Sequence, residues 1–113
     1  MIRGITIYDL SPDQLFSFLK VLEPQVYQID QTLIYKGNVP NAAFCLLSGK
    51  LQIRKYDNST YPLFPNQIIG LDECLKHSPF KHTLEVHKGT KLLVLPLSFL
   101  KNNQLIHSLG QTA

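Results

Sequence analysis

The sequence predicts a mainly-β domain of the β-sandwich or jelly-roll class, with a short helix towards each end. Three observations predict this class. Six or more short apolar segments lie at regular spacing, a turn signal separates each from the next, and helical patterns lie before and after them. With 113 residues, of which 44% are hydrophobic and 17% charged, the chain has the size and composition of one globular domain, residues 1–113.

The first element is a helix predicted over about residues 11–23. Ser11 can cap its start, Pro12 suits the first helical position, and Gln14 can complete a capping box with Ser11. Five apolar residues then fall on one helical stripe: Leu15, Phe16, Phe18, Leu19 and Leu22. Glu23-Pro24 ends the pattern, so we expect a short helix that packs as a lid on an apolar surface.

The strands are predicted over about residues 25–97. The strand-like segments are Val26 to Ile29, Leu33 to Tyr35, Ala42 to Leu47, Leu51 to Tyr56, Tyr61 to Phe64, Leu84 to Val86 and Lys91 to Leu95. Turn residues at 57–60 predict that the segments on either side form a hairpin. A short helical pattern then closes the chain at about residues 98–107.

Charge and composition argue against several functions. The net charge is only +3, and the basic residues are dispersed, whereas nucleic-acid binders usually concentrate them. The N-terminus lacks the apolar core of a signal peptide, and no apolar run reaches membrane-spanning length. We therefore expect a cytoplasmic protein that contacts neither DNA nor a membrane. Cys45 and Cys74 lie in apolar segments, which favours buried free thiols over a disulfide.

Glycines and turn residues recur in a specific order between residues 37 and 83. Gly37 and Gly49 bracket an aromatic-aliphatic segment that ends in Ser48, and residues 63–70 combine a leucine, a proline turn, two apolar residues and Gly70. Pro79 and Thr83 then follow Gly70 in the same segment of the sequence. This pattern resembles the cyclic-nucleotide-binding domain family, over about Ser11 to Leu100. Asn66 stands at the turn position where the family has glycine, and asparagine accepts a positive φ more readily than most residues.

The resemblance implies a fold and a limit on function. The family fold is an eight-stranded β-roll, a double-stranded β-helix or jelly roll, flanked by short helices. In regulators similar to catabolite activator protein, a long helix after the roll leads to a DNA-reading helix-turn-helix. The chain ends at Ala113, where neither element has room, so DNA binding by that route is not expected.

The resemblance also implies a phosphate-binding cassette that follows Gly70. In the family, backbone N–H groups at the start of a short helix point at the phosphate, where the helix dipole favours negative charge. A glutamate directly after the glycine binds the ribose, and an arginine directly after the proline pairs with the phosphate. Here those two positions hold Leu71 and Phe80. The candidate ligand-binding residues are Gly70, Leu71, Asp72, Glu73, Cys74, Phe80, Lys81, His82 and Thr83.

The two replacements predict a cassette that has lost its ligand. Loss of a buried charged pair costs about 2–5 kcal/mol, and an unpaired ribose hydroxyl about 1–3 kcal/mol more. Asp72 would repel a phosphate, and Lys81 lacks the planar fork with which arginine grips one. We expect Leu71 and Phe80 to fill the former pocket with apolar side chains. No cofactor is expected, although cyclic nucleotide stays an alternative.

Metal binding and catalysis have weaker support in the sequence. Cys74 and His77 have ligand-like spacing, but His82 and His87 differ in strand parity and should face opposite sides. A cupin-type metalloenzyme would need a His-x-His pair, which this chain lacks. No nucleophile elbow, P-loop or dinucleotide fingerprint occurs. The sequence therefore predicts no catalytic residue and no metal ligand, and Asp72-Glu73 are expected to serve the helix dipole.

The function predicted from these observations is that of a non-catalytic regulatory or adaptor module in bacterial-type signalling. It would act through a protein partner or self-association. Six aromatic residues could form a contact patch or lie in the core: Phe16, Phe18, Tyr56, Tyr61, Phe64 and Phe80. The alternative is a sensor that binds cyclic AMP, cyclic GMP or another anion in the roll. A cupin-type metalloenzyme is a third and weaker alternative.

Overall fold

Two antiparallel sheets form the body of the computed structural model, which describes residues 3–102 and the backbone of residues 110–112. In chain order the elements are β1 (Ile7–Asp9), α1 (Pro12–Leu19), β2 (Gln25–Val26), β3 (Gln31–Ile34), β4 (Ala42–Ser48), β5 (Leu51–Arg54), β6 (Thr60–Pro62), β7 (Gln67–Ile69), α2 (Leu71–Lys76), β8 (Thr83–Val86), β9 (Lys91–Pro96), α3 (Leu97–Asn102) and β10 (Gly110–Thr112). The larger sheet has the strand order β10-β1-β7-β4-β9-β2, and the smaller has the order β3-β8-β5-β6. This is the mainly-β architecture that the sequence predicts.

The larger sheet is apolar on both faces, which explains why β4 reads as one continuous apolar run. Along β4, Ala42, Phe44 and Leu46 contribute to a core between the sheets, whereas Ala43 and Cys45 contribute to a core beneath the helices. The inter-sheet core contains Ile5, Ile7, Ile34, Ala42, Phe44, Leu46, Leu51, Ile53, Leu63, Ile69, Phe80, Leu84, Val86 and Leu92. The helix-side core contains Leu10, Phe18, Ala43, Cys45, Ile68, Leu71, Cys74, Leu93, Leu95 and Leu100.

Helix α1 has the predicted start and a shorter body than the sequence pattern indicates. The Gln14 N–H donates to Ser11 Oγ at 3.2 Å, and the Ser11 N–H donates to Gln14 Oε1 at 2.9 Å, which completes the capping box. The helix ends at Leu19 rather than near residue 23. Phe18 anchors it, with its ring edge-on to that of Phe99 at a centroid distance of 5.2 Å.

The glycine and asparagine turns have the conformations that their residue types predict. Gly49 has φ of 100°, and a Cβ there would lie 2.6 Å from the Cα of Thr90, so only glycine allows this approach. The Lys50 N–H donates to Thr90 Oγ1 at 2.9 Å and ties the turn to the start of β9. Asn66 has φ of 71°, as expected for a residue that replaces a turn glycine.

Strands β1 and β10 do not have a sequence signal of their own. Strand β1 pairs with β7 through Ile7 and Ile69, and β10 pairs with the other side of β1. Ile5 and Ile7 both enter the inter-sheet core. The hairpin of β5 and β6 forms as predicted, with Ile53 opposite Tyr61. Helix α3 ends at Asn102, and residues 103–107 of the predicted C-terminal helix lie outside the described part of the chain.

Candidate functional site

The candidate cassette, residues 70–83, connects β7 to β8 through α2. Gly70 precedes the helix with φ of 87°, a conformation that strongly favours glycine. The Cys74 N–H donates to the Gly70 carbonyl oxygen at 3.0 Å and makes the first helical hydrogen bond. His77 ends the helix in the left-handed region, and the Ser78 N–H donates to the Glu73 carbonyl oxygen at 3.0 Å.

Phe80 occupies the inter-sheet core at the position where the resemblance implies an arginine. Its side chain is fully buried, at 0% exposure. Its backbone is also fully used, because the Phe80 N–H donates to the Asn38 carbonyl oxygen at 2.9 Å and its own carbonyl accepts from the Gly37 N–H at 2.8 Å. The loop therefore presents neither a cationic side chain nor a free N–H at this residue.

Leu71 is buried as well, but not beside Phe80. It belongs to the helix-side core, together with Cys74 one turn further along α2. The prediction that Leu71 and Phe80 fill one former pocket is therefore wrong for Leu71. The physical reason is that α2 lies against the outer face of the larger sheet and uses Leu71 and Cys74 as its anchors there.

The two acids at the start of α2 have different surroundings. Asp72 accepts a hydrogen bond from the Tyr8 hydroxyl of β1 at 2.5 Å. Burial and this acceptor raise the pKa of Tyr8 to about 12. Glu73 is 6% exposed, and its Oε1 has no hydrogen-bond partner in the part of the chain that the structure describes.

The electrostatics of Glu73 combine a dominant cost of burial with smaller opposing effects. Burial raises the pKa of its carboxyl, and the negative charge of Asp72 raises it further. A hydrogen bond from the Glu73 backbone N–H and the charges of Lys76 and Lys81 lower the pKa in part. Sequence reasoning identified Glu73 as a helix-start acid but not as a buried one, because nothing in the local pattern reports that burial.

The remaining candidate residues do not converge with Phe80. Lys81 is exposed, and its aliphatic chain runs past Gly4, where a Cβ would lie 3.0 Å from Lys81 Cγ. His82 is half-buried, and its Nδ1 has no hydrogen-bond partner among the described residues. Thr83 alternates with Leu84 and so faces outward on β8, away from the inter-sheet core.

A polar groove that sequence reasoning missed lies on the outer face of the smaller sheet. Arg54 Nε donates to Glu85 Oε2 at 2.9 Å, and Gln52 Nε2 donates to Glu85 Oε1 at 3.1 Å. This hydrogen-bonded group, which we call the Glu85 cluster, lies in a groove of about 330 Å³ that Asp30, Thr32 and His87 also line. In the sequence, the residues of the Glu85 cluster show only the alternation that is typical of solvent-facing strand positions.

The side chains considered as metal ligands span the end of α2 and both ends of β8. Cys45 and Cys74 are free and buried, as predicted, and burial raises the pKa of both thiols, that of Cys45 to about 12. His77 lies at the end of α2, whereas His87 follows the far end of β8. Within residues 3–102, no group of three or more His, Cys, Asp or Glu side chains is arranged to hold a metal ion. In the same range, no helix is long and apolar enough to cross a membrane.

Comparisons with known proteins give a structural match without a sequence match. No protein-family model matches the sequence, and no curated protein matches it. The fold is similar to that of a protein described for a cyclic-GMP-dependent signalling pathway that regulates bacterial phytopathogenesis. Its TM-score is 0.73 and its identity 16%, over 88% of this chain and 81% of that chain.

Two further solved structures are similar at lower TM-scores. A cyclic nucleotide-binding-like protein from Brucella abortus has a TM-score of 0.62 and 18% identity, over 80% of this chain and 82% of that chain. Thermus thermophilus catabolite activator protein has a TM-score of 0.60 and 20% identity, over 80% of this chain but only 45% of its own. At these identities the similarity concerns the fold. This chain therefore has the β-roll fold of the cyclic-nucleotide-binding domains.

Proposed function

We propose that this chain is a non-catalytic regulatory or adaptor module that keeps the β-roll but does not bind cyclic nucleotide. The observation that carries the proposal is the place of Phe80, whose buried ring lies in the inter-sheet core where the resemblance implies a phosphate-binding arginine. Burial of such a ring stabilises the fold by about 1.5–3 kcal/mol. A nucleotide would have to displace it without gaining a charged pair.

The charge near the cassette supports the same conclusion. Glu73 places a buried carboxyl at the start of α2, where a phosphate would otherwise approach the helix. Asp72 adds a second acid. Like charges that face each other in a desolvated site cost several kcal/mol. Lys81 is the nearest cation in the loop sequence, but its side chain is exposed and extends past Gly4.

Exposed aromatic side chains support a role in protein contact. Of the six aromatic residues considered from sequence, Phe18 and Phe80 are buried, whereas Tyr56, Phe16 and Phe64 are 83%, 64% and 60% exposed. Phe16 is accompanied on the α1 side by exposed Val21, which also lines an apolar groove. Exposed apolar surface of this kind is typical of contact with a protein partner or a second copy of the chain.

The proposed setting is the cytoplasm of a bacterial cell. Two buried free thiols are compatible with a reducing compartment, where disulfides are rare. Structurally similar proteins include ones from Thermus and Brucella, and one of them is named as a catabolite activator, which is a regulatory role.

The test is calorimetric titration of the purified chain with cyclic AMP and with cyclic GMP at moderate salt. We expect no saturable heat up to about millimolar ligand, because that limit corresponds to less than about 4 kcal/mol of binding free energy. Saturation at micromolar ligand would contradict the proposal.

The adaptor role is tested by affinity capture with the wild type and with Phe16→Asp as bait. We expect the wild type to recover a stoichiometric partner or a second copy of the chain, and Phe16→Asp to recover less of it. Ser17→Asp on the same helix is the matched control.

A sensor of cyclic AMP, cyclic GMP or another anion is the second candidate. The conformation of Gly70 and the absence of a side-chain cap on α2 among the described residues favour it, since backbone N–H groups at a helix start attract anions. One structural neighbour is described in the context of cyclic GMP. The same titration separates the two candidates, and heat with either nucleotide would make Lys81 the first residue to replace.

A further inference from the structure

The outer face of the smaller sheet has a row of polar side chains in a defined register. Thr32 on β3 is opposite Glu85 on β8, and Glu85 is opposite Gln52 on β5, so the three side chains lie side by side across three strands. The pairing of β3 with β8 is irregular directly after Thr32, and such a bulge bends and twists an edge strand. All three residues line the groove of about 330 Å³ that contains the Glu85 cluster.

The Glu85 cluster is held in place by the protein itself. Gln52 lies between two inter-sheet core residues of β5 and so points to the outer face, yet it is only 5% exposed. Arg54 is held at two points, because its Nε donates to Glu85 Oε2 at 2.9 Å and its Nη1 donates to the Asn58 carbonyl oxygen at 3.1 Å. Groups that are already ordered lose little conformational freedom when a ligand binds.

Two charged groups of the groove keep hydrogen-bonding capacity for a ligand. Arg54 uses Nε and Nη1, whereas its Nη2 donates to none of the described residues, and its side chain is 38% exposed. Asp30 is exposed, and its Oδ1 accepts from the Lys88 backbone N–H at 2.7 Å, which leaves Oδ2 without a donor in the described part of the chain. The groove therefore offers one cationic donor and one anionic acceptor.

The balance of charge in the groove selects against ligands of a single sign. Asp30 and Glu85 are two carboxylates against the one guanidinium of Arg54, with His87 as the remaining titratable side chain of the lining. A simple anion meets the two carboxylates, and a simple cation meets the guanidinium. A ligand that carries both charges can pair with both signs, which is the complementarity that gives a polar site its specificity.

We propose that this groove binds a free amino acid or another small zwitterion, with the ligand carboxylate at Arg54 and the ligand ammonium group at Asp30. The groove volume of about 330 Å³ lies at the lower end of the range for small-molecule sites, about 300–1,000 Å³, so the ligand must be small. The inference does not rest on the proposed function, because the groove is on the outer face of the smaller sheet and Phe80 is in the inter-sheet core.

The test is NMR titration of the isotope-labelled chain with each of the standard amino acids. A ligand of so few atoms binds weakly, so the titration extends to about 10 mM. We expect at least one amino acid to cause saturable shifts at the amides of residues 30–32, 52–54 and 85–87. Arg54→Gln should weaken that binding at least about tenfold, because a charged hydrogen bond is lost. Lys36→Gln removes an exposed charge outside the groove lining and should bind like the wild type.

A second variant and two single-charge probes separate a zwitterion site from a simple ion site. Asp30→Asn keeps an oxygen that can accept from the Lys88 N–H, so the loop is retained while the charge is lost, and it should also weaken binding at least about tenfold. Acetate and methylammonium, which each carry one of the two charges of glycine, should cause no saturable shifts in the wild type.

Three results would overturn the inference. The first is that no amino acid shifts the amides of the groove in the folded wild type. The second is that Arg54→Gln and Asp30→Asn, both folded by their NMR spectra, bind the responding amino acid as tightly as the wild type does. The third is that acetate or methylammonium binds as tightly as that amino acid, which would mean that the groove is a simple ion site.

Discussion

Glu73 precedes and Glu85 follows the loop that carries Phe80 in the sequence, and the surroundings of the two carboxyls are opposite in kind. Glu85 is paired with Arg54 and Gln52 on the open face of the smaller sheet, and its pKa is lowered chiefly by the Arg54 hydrogen bond. Glu73 is buried within the first turn of α2, its Oε1 has no hydrogen-bond partner among the described residues, and its pKa is raised chiefly by burial.

The difference shows where hydrogen-bonded charged side chains lie in this domain. In the family that the fold resembles, charged recognition is expected inside the roll, at the cassette. Here the cassette contributes a buried phenyl ring and the buried carboxyl of Glu73, whereas the Glu85 cluster on the outside is held by hydrogen bonds from Arg54 and Gln52. The region around Phe80 is a packed core, and the polar groove lies on the outer face of the smaller sheet.

The largest expected effect comes from removal of the ring that closes the cassette. Phe80→Ala should destabilise the fold by about 3–5 kcal/mol, because it leaves a cavity in the inter-sheet core. Phe64→Ala is the matched control, since that ring is exposed and its loss should change stability by less than about 0.5 kcal/mol. Denaturant unfolding of the three proteins measures both values. Similar small losses for the two variants would mean that Phe80 does not fill the core.

A smaller effect with a specific pH dependence is expected at Glu73. The pKa of the Glu73 carboxyl is raised in the folded state. The protonated carboxyl therefore contributes to the free energy of unfolding below the unfolded pKa, about 4.3, and this contribution is lost as the pH rises through the folded pKa. Glu73→Gln should therefore stabilise the protein at pH 7, by about 1–2 kcal/mol. The gain should disappear near pH 4, as measured by unfolding at a series of pH values. A destabilised Glu73→Gln at pH 7 would contradict this sign.

The smallest expected effect is at Glu85, and its pH dependence has the opposite sign. The lowered pKa means that Glu85 contributes stability above the unfolded pKa and loses it as the pH falls through the folded pKa. Glu85→Gln should cost less than about 1 kcal/mol at pH 7, since the side chains of Arg54 and Glu85 are 38% and 24% exposed. The cost should shrink in high salt and on acidification. An effect independent of both would mean that packing, and not charge, holds the cluster.

Much of the fold could be predicted from local patterns. The capping box of α1, the hairpin of β5 and β6, and the positive φ of Asn66 follow from residue types a few positions apart. The short β1 could not be predicted in the same way. Its three residues carry no strand signal of their own, and they form a strand by pairing with β7 on one side and β10 on the other.

The candidate site was less predictable than the fold. The sequence by itself determined that the positions after Gly70 and Pro79 are apolar, which removes the charges that a phosphate would need. Only the tertiary structure decided that Phe80 enters the inter-sheet core, that Leu71 anchors α2 on the other face of the sheet, and that Glu73 turns inward. Residue type is a local property, whereas the face on which a side chain is buried depends on how α2 and the two sheets pack together.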